Sequence, residues 1–299
     1  MSVLLSRVNY PEIEWNSKKA SLLHRSLVSN PVPDQSYQEV AHKDTFLYLI
    51  RKGHNNWANL SIYDSKCERE ELKVLETKEL DLGTCIAQLP NCKLFCFGSY
   101  YDSRITLIID ENYELQKLPS GEACHCSSAI YFNKNVYCFG GEDENSFLNL
   151  SSKFDLDQNR WFKLAPMPEA DCACNSVLFN RNILISGWKN KNIWQYSTSI
   201  DSFSKISYDF AEWKRKILIN GERLYLVECQ GMIYESEDEY SWKQIANFIP
   251  NPNPDQAYCL YNKGEIYIGI GTFYYNLYYR FSLDKKVITE LQRSIANNL

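Results

Sequence analysis

Six short apolar strands recur along this chain at a nearly constant interval. Their central residues are Tyr48, Phe95, Tyr137, Leu184, Tyr225 and Tyr267, which lie 47, 42, 47, 41 and 42 residues apart. A unit of that size cannot bury its own apolar surface, so copies of it must stack on one another. This constrains the fold more than any other feature.

Two further signals sit at fixed offsets from each strand. After it comes an apolar triplet spaced by seven and then three: Ile108, Leu115, Leu118; Phe154, Trp161, Leu164; Tyr196, Phe203, Ile206; and Phe281, Ile288, Leu291. Tyr234, Trp242 and Ile245 carry one extra residue, and Tyr63, Leu72 and Leu75 carry two. Polar fillers such as 155–159 and 197–201 mark a hairpin turn between the first two positions. Before each strand comes another that ends in an Asn-centred turn, as at 127–135, 175–182, 214–222 and 257–265. Asn220-Gly221 is a tight-turn signal. Each copy is thus a four-stranded antiparallel meander, with strands A, B, C and D in chain order.

Radial stacking of such sheets buries both faces and leaves only short edges. The predicted fold is an all-β, six-bladed propeller over 36–293. Residues 1–35 form an N-terminal extension with a short helix, a linker and a possible extra strand. Residues 294–299 form a tail.

The strands ending in Gly140-Gly141, followed by Phe154, Trp161 and Met167-Pro168, resemble the kelch repeat family. That pattern is an apolar strand ending in two glycines, then an aromatic residue, six others and a Trp. The other copies depart from it, with Gly98-Ser99, Ser186-Gly187, Ile270-Gly271, Arg51-Lys52 and Glu228-Cys229 at the glycine positions. The Gly-His…Trp-Asp signature of the rival WD40 propeller is not found.

Composition excludes some classes of function. A net charge of −5 gives no electrostatic case for binding nucleic acid or an anionic membrane. The run Val3-Leu4-Leu5 is too short for a signal-peptide core, and the apolar run 46–50 is far short of a membrane span. The eleven cysteines are an odd number in a large chain. Several, including Cys96, Cys138 and Cys259, fall in apolar strands, so they read as reduced core residues. The expected location is the cytoplasm.

The resemblance implies a face built by the B–C and D–A loops. Arg51, Trp57, Tyr101, Arg104, Trp188, Lys189, Lys191, Trp213, Lys214, Arg215, Tyr274 and Tyr275 are the candidate partner-binding residues, because exposed aromatics and arginines anchor interfaces. Trp188-Lys189 and Trp213-Lys214-Arg215 come from adjacent copies and would form a basic, aromatic rim suited to an acidic segment of a protein partner. The expected function is a noncatalytic protein-interaction scaffold.

The alternative is an enzyme acting on a sugar or small molecule in the central funnel. The four histidines, His24, His42, His54 and His125, do not supply a paired copper site of the galactose oxidase type. The segment 236–242 resembles a sialidase Asp-box but is one residue short and lacks its glycine. Cys124, His125, Cys126, Cys172 and Cys174 are metal-ligand types, yet Cys-x-Cys is tighter than structural zinc spacing. No catalytic residue, metal or cofactor is expected.

Overall fold

The computed structural model describes residues 46–52, 58–64, 69–81, 83–206, 216–220, 223–228, 231–238, 241–247, 256–262, 264–271 and 275–295. Every regular element among them is a β-strand. No helix among them is long and apolar enough to cross a membrane.

The strands form six antiparallel sheets in chain order. Sheet one has three: β1 (Phe46–Lys52), β2 (Ala58–Asp64) and β3 (Arg69–Leu75). Its expected A strand and residues 1–35 lie outside the described residues. Sheet two has β4 (Cys85–Gln88), β5 (Leu94–Phe97), β6 (Thr106–Ile109) and β7 (Leu115–Lys117). Sheet three has β8 (Ser128–Phe132), β9 (Asn135–Phe139), β10 (Ser151–Asp155) and β11 (Arg160–Lys163). Sheet four has β12 (Asn175–Phe179), β13 (Asn182–Ser186), β14 (Ile193–Ser197) and β15 (Ser202–Ile206). Sheet five has β16 (Lys216–Asn220), β17 (Leu224–Glu228), β18 (Met232–Ser236) and β19 (Lys243–Asn247). Sheet six has β20 (Gln256–Asn262), β21 (Glu265–Gly271), β22 (Tyr275–Ser282) and β23 (Val287–Ile295).

Each four-stranded sheet pairs consecutive strands, as a meander must. The turns match the local sequence. Asn133-Lys134 and Asn180-Arg181 all have positive φ, the conformation of a two-residue hairpin that follows strand twist. Asn159, Asp201 and Lys286 take positive φ at equivalent places in their C–D turns. Gly221 of the expected Asn220-Gly221 turn lies outside the described residues. Asn220 pairs with Leu224, which makes the connection three residues long.

The second strands of sheets two to five show how both faces are buried. In β5, Leu94 and Cys96 join the core shared with sheet one, while Phe95 and Phe97 join the core shared with sheet three. In β9, Val136 and Cys138 face sheet two, and Tyr137 and Phe139 face sheet four. In β17, Leu224 and Leu226 face sheet four, and Tyr225 and Val227 face sheet six. A two-residue period with both faces apolar follows from a sheet sandwiched between two others. Five such cores join sheets one to six in series. The A strands lie side by side: β4 by β8, β8 by β12, β12 by β16 and β16 by β20.

The aromatic pairs lock these interfaces. Phe154 and Trp161 stand opposite each other on β10 and β11. Phe154 lies 5.4 Å from Phe95, and Trp161 lies 4.6 Å from Phe97, ring centre to ring centre. The Trp161 indole N–H donates to the Pro119 carbonyl at 3.0 Å. In the next sheet Tyr196 and Phe203 pair the same way, and Tyr196 lies 5.2 Å from Phe139. In both sheets the aromatic pair packs against the preceding sheet. Sheet two differs in register: Leu115 pairs with Ile109, one residue from the Ile108 that the seven-residue spacing selects.

Candidate functional site

The two ends of the sheets carry different connections. At one end, A–B and C–D turns meet. Leu156 N–H donates to Lys134 O at 3.0 Å, and Leu283 N–H donates to Gly264 O at 2.9 Å. At the other end, B–C loops meet D–A loops. His125 and Glu142 exchange backbone hydrogen bonds at 3.0 and 2.9 Å, and Asp171 N–H donates to Leu148 O at 3.1 Å. The expected grouping of B–C and D–A loops on one face therefore holds in sheets three and four.

That face is uneven. The B–C connection spans 98–105 in sheet two, 140–150 in sheet three and 187–192 in sheet four. In sheet five it shrinks to 229–231, closed by a Gly231 N–H to Glu228 O bond of 2.9 Å. In sheet six it is 272–274. Among the B–C connections, those of sheets two to four are the longest.

The glycines explain how the long loops leave their strands. Gly140 has φ of 65°, and a Cβ there would meet the Asp171 carbonyl at 2.8 Å. Gly98, at the matching place in sheet two, has φ of 64° and lies against the Cys124 carbonyl. In both cases the next sheet's D–A loop passes so close that a side chain is excluded. Gly141 N–H donates to Asp171 O at 2.8 Å and fastens the contact.

Aromatic and charged side chains crown these loops in a connected run. Tyr100 and Tyr101 are more than half exposed. The Tyr100 ring rests on the His125 imidazole, 4.2 Å between centres, and its hydroxyl lies 3.1 Å from Cys126 Sγ. Partial burial first, and then the nearby Cys126, Glu142 and Asp81, raise the Tyr100 phenol above its ordinary range. His125 Nε2 sits 3.4 Å from Glu142 Oε1, an ion pair when the imidazole is protonated. Glu142 in turn bridges to Phe147 across the loop. Phe147 lies 6.5 Å from the Trp188 ring, and Lys189 Nζ lies 5.7 Å from the Phe147 centroid.

Three carboxylates hold the loops from within. Asp81 accepts Gly83 N–H at 2.7 Å and Tyr100 N–H at 3.3 Å, with the Ser99 hydroxyl at 3.4 Å. Asp143 accepts the Asn145 and Ser146 N–H groups, both at 2.8 Å, and these hold its carboxyl below the usual range. Asp171 accepts Cys172, Trp188, Lys189 and Asn190 N–H groups. Burial raises its carboxyl, and those four donors oppose the shift.

Of the candidate residues, Tyr101, Arg104, Trp188, Lys189 and Lys191 are exposed on this face. Arg51 and Tyr275 are strand residues, at the end of β1 and the start of β22. Trp57, Trp213, Lys214, Arg215 and Tyr274 lie outside the described residues. Sequence reasoning missed Phe147 and Asp81, and the supporting roles of His125, Asp143 and Asp171. The usable signal was that Asp81 and Asp171 both stand four residues before an A strand.

The thiols behave as interior groups. Cys85, Cys96, Cys124, Cys138 and Cys174 are buried and free, as expected for Cys96 and Cys138. Burial pushes Cys124 up to about 12. Cys85 Sγ lies 2.8 Å from Ser127 Oγ, and Cys124 Sγ lies 3.4 Å from the same oxygen. Among the described residues, no three His, Cys, Asp or Glu side chains are grouped to hold a metal ion.

Serially stacked four-stranded sheets with a loop-built face define a β-repeat protein. The match falls on sheet three: residues 123–168 match the family model described as the kelch motif. A search of the curated proteins found no match.

Proposed function

We propose that this chain is a noncatalytic protein-binding module, a six-bladed kelch propeller whose working surface is the B–C and D–A face over sheets two to four. The observation that carries the reading is the concentration of long loops and exposed aromatics there, while sheet five turns back within 229–231. Large, rigid aromatics at the centre of a surface are what interface anchors look like. Six sheets joined in series, with adjacent A strands, support closure into a ring.

The polar groups of the face favour scaffolding over chemistry. Asp81, Asp143 and Asp171 are committed to backbone N–H groups of their own loops. His125 is sandwiched between Tyr100 and Glu142. Groups engaged this way shape loops rather than transfer protons. Lys189 and Lys191, beside Trp188, favour an acidic segment of the partner. Buried free thiols support residence in a reducing compartment, the cytoplasm.

The test is affinity capture from native cell extract, comparing wild type with a Tyr101→Ala/Trp188→Ala variant that circular dichroism shows to be folded. Proteins held by wild type should be lost by the variant. Lys189→Glu/Lys191→Glu should weaken the same proteins, and their binding should fall as salt rises. Equal capture by wild type and the aromatic variant would refute the assignment of the face.

A further inference from the structure

We infer that Asp171 is the positioning residue of the binding face: through its two ends it sets the Trp188 loop of sheet four against the Phe147 loop of sheet three. The inference rests on the proposed reading of that face, but its test does not need a partner.

Asp171 is 3% exposed, so its carboxylate is cut off from water. A buried carboxylate is costly unless donors surround it. Here Oδ1 accepts the N–H groups of Cys172, Trp188 and Lys189 at 2.9, 3.0 and 2.8 Å, and Oδ2 accepts that of Asn190 at 3.1 Å. Three successive amides of one loop thus converge on one side chain. Gly187 lets it approach, because a Cβ there would collide with the carboxylate. The backbone of Asp171 works in the opposite direction. Its carbonyl accepts Gly141 N–H at 2.8 Å, and its N–H donates to Leu148 O at 3.1 Å. Gly141 and Leu148 are parts of the loop that carries Phe147. One residue therefore holds both sides of the Phe147–Trp188 contact.

The arrangement recurs, which argues against accident. Asp81 stands at the matching place in sheet two and accepts the Tyr100 N–H. Sheet three has Cys124 there. Its loop is held instead by Asp143 and by the His125–Glu142 backbone pair.

Division of labour between side chain and backbone makes the idea testable by amide hydrogen exchange on the full chain, read residue by residue. In wild type, Lys189 and Asn190 amides should exchange at least tenfold slower than those of Asn145 and Ser146, which are exposed residues and whose acceptor Asp143 is only half-buried. In Asp171→Asn, the Lys189 and Asn190 amides should exchange at least tenfold faster, because the neutral side chain keeps a single acceptor oxygen, loses the charge that strengthens these bonds and presents a donor in place of the other oxygen; the Trp188 amide, which also donates to Cys172 O at 3.2 Å, should change less. Gly141, whose acceptor is the residue 171 backbone, should keep its protection. A merely structural role would raise exchange throughout β12–β15 and at Gly141 together, and that result overturns the proposal. So does unchanged exchange at 189 and 190. Gly187→Ala, which leaves Asp171 in the chain but evicts its carboxylate, should reproduce the Asp171→Asn pattern. If neither variant folds, the wild-type comparison still decides: amides 189 and 190 exchanging as fast as 145 and 146 would end the idea. Failure of the binding-face reading shows itself separately, as equal capture by Trp188→Ala and wild type while the exchange pattern holds.

Discussion

Sheets three and five solve the same interior problem and finish it differently. Both bury two faces by alternating residues of their second strand. Tyr137 and Phe139 point one way and Val136 and Cys138 the other, just as Tyr225 and Val227 oppose Leu224 and Leu226. The strands then leave the sheet in unlike ways. Sheet three runs through 140–150, carrying Glu142, Asp143 and Phe147. Sheet five turns back through 229–231. Sheet-to-sheet packing therefore fixes the strands and leaves the connections free. In repeat proteins such connections are where binding surfaces diverge. The third copy keeps both the kelch motif and a long loop, and it sits between the two other sheets with long loops.

Three experiments would break or sharpen this comparison. The largest effect belongs to the interior. Phe154→Ala should destabilise the protein by about 3–5 kcal/mol, since Phe154 is buried against Phe95 and Trp161. Phe281→Ala, its counterpart in sheet six, should cost a similar amount by chemical denaturation. A much smaller loss at Phe281 would mean that the interiors are not equivalent. Next comes the exit from the strand. Gly140→Ala should cost about 1–3 kcal/mol, from positive φ and the crowding by Asp171 O. The smallest effect belongs to the loops. Trp188→Ala should change stability by no more than about 0.5 kcal/mol. A loss rivalling that of Phe154→Ala would make Trp188 an interior residue.

Much of the interior was legible because it is local and periodic. The apolar strands, the Asn-centred turns and the seven-residue spacing each reflect pairing between neighbouring strands. Phe154 with Trp161 and Tyr196 with Phe203 fall in the expected register. The misreading of Ile108 came from the C–D turn 110–114, which has five residues where those of sheets three, four and six have four, so the pairing shifts by one and Leu115 meets Ile109. The spacing alone cannot register such a slip, because Ile108 and Ile109 are both apolar. The face was legible only as a set of loops. Tyr101, Trp188 and Lys189 stood out as exposed residue types in loop positions. Their supports did not, because these act at long range in sequence: Asp171 reaches amides 17 to 19 residues on, and Asp81 reaches Tyr100 across 19. Cys124 at the matching position in sheet three also hides the pattern from a repeat alignment.

The most direct measurement of the central claim is a hydrogen-exchange footprint of the full chain with and without a protein captured by wild type. The account predicts slower exchange in 99–104, 142–148 and 188–192, on the face over sheets two to four, with little change elsewhere. Protection centred instead on the C–D turns at 155–160, 197–201 and 283–286, at the opposite end of the sheets, would contradict it.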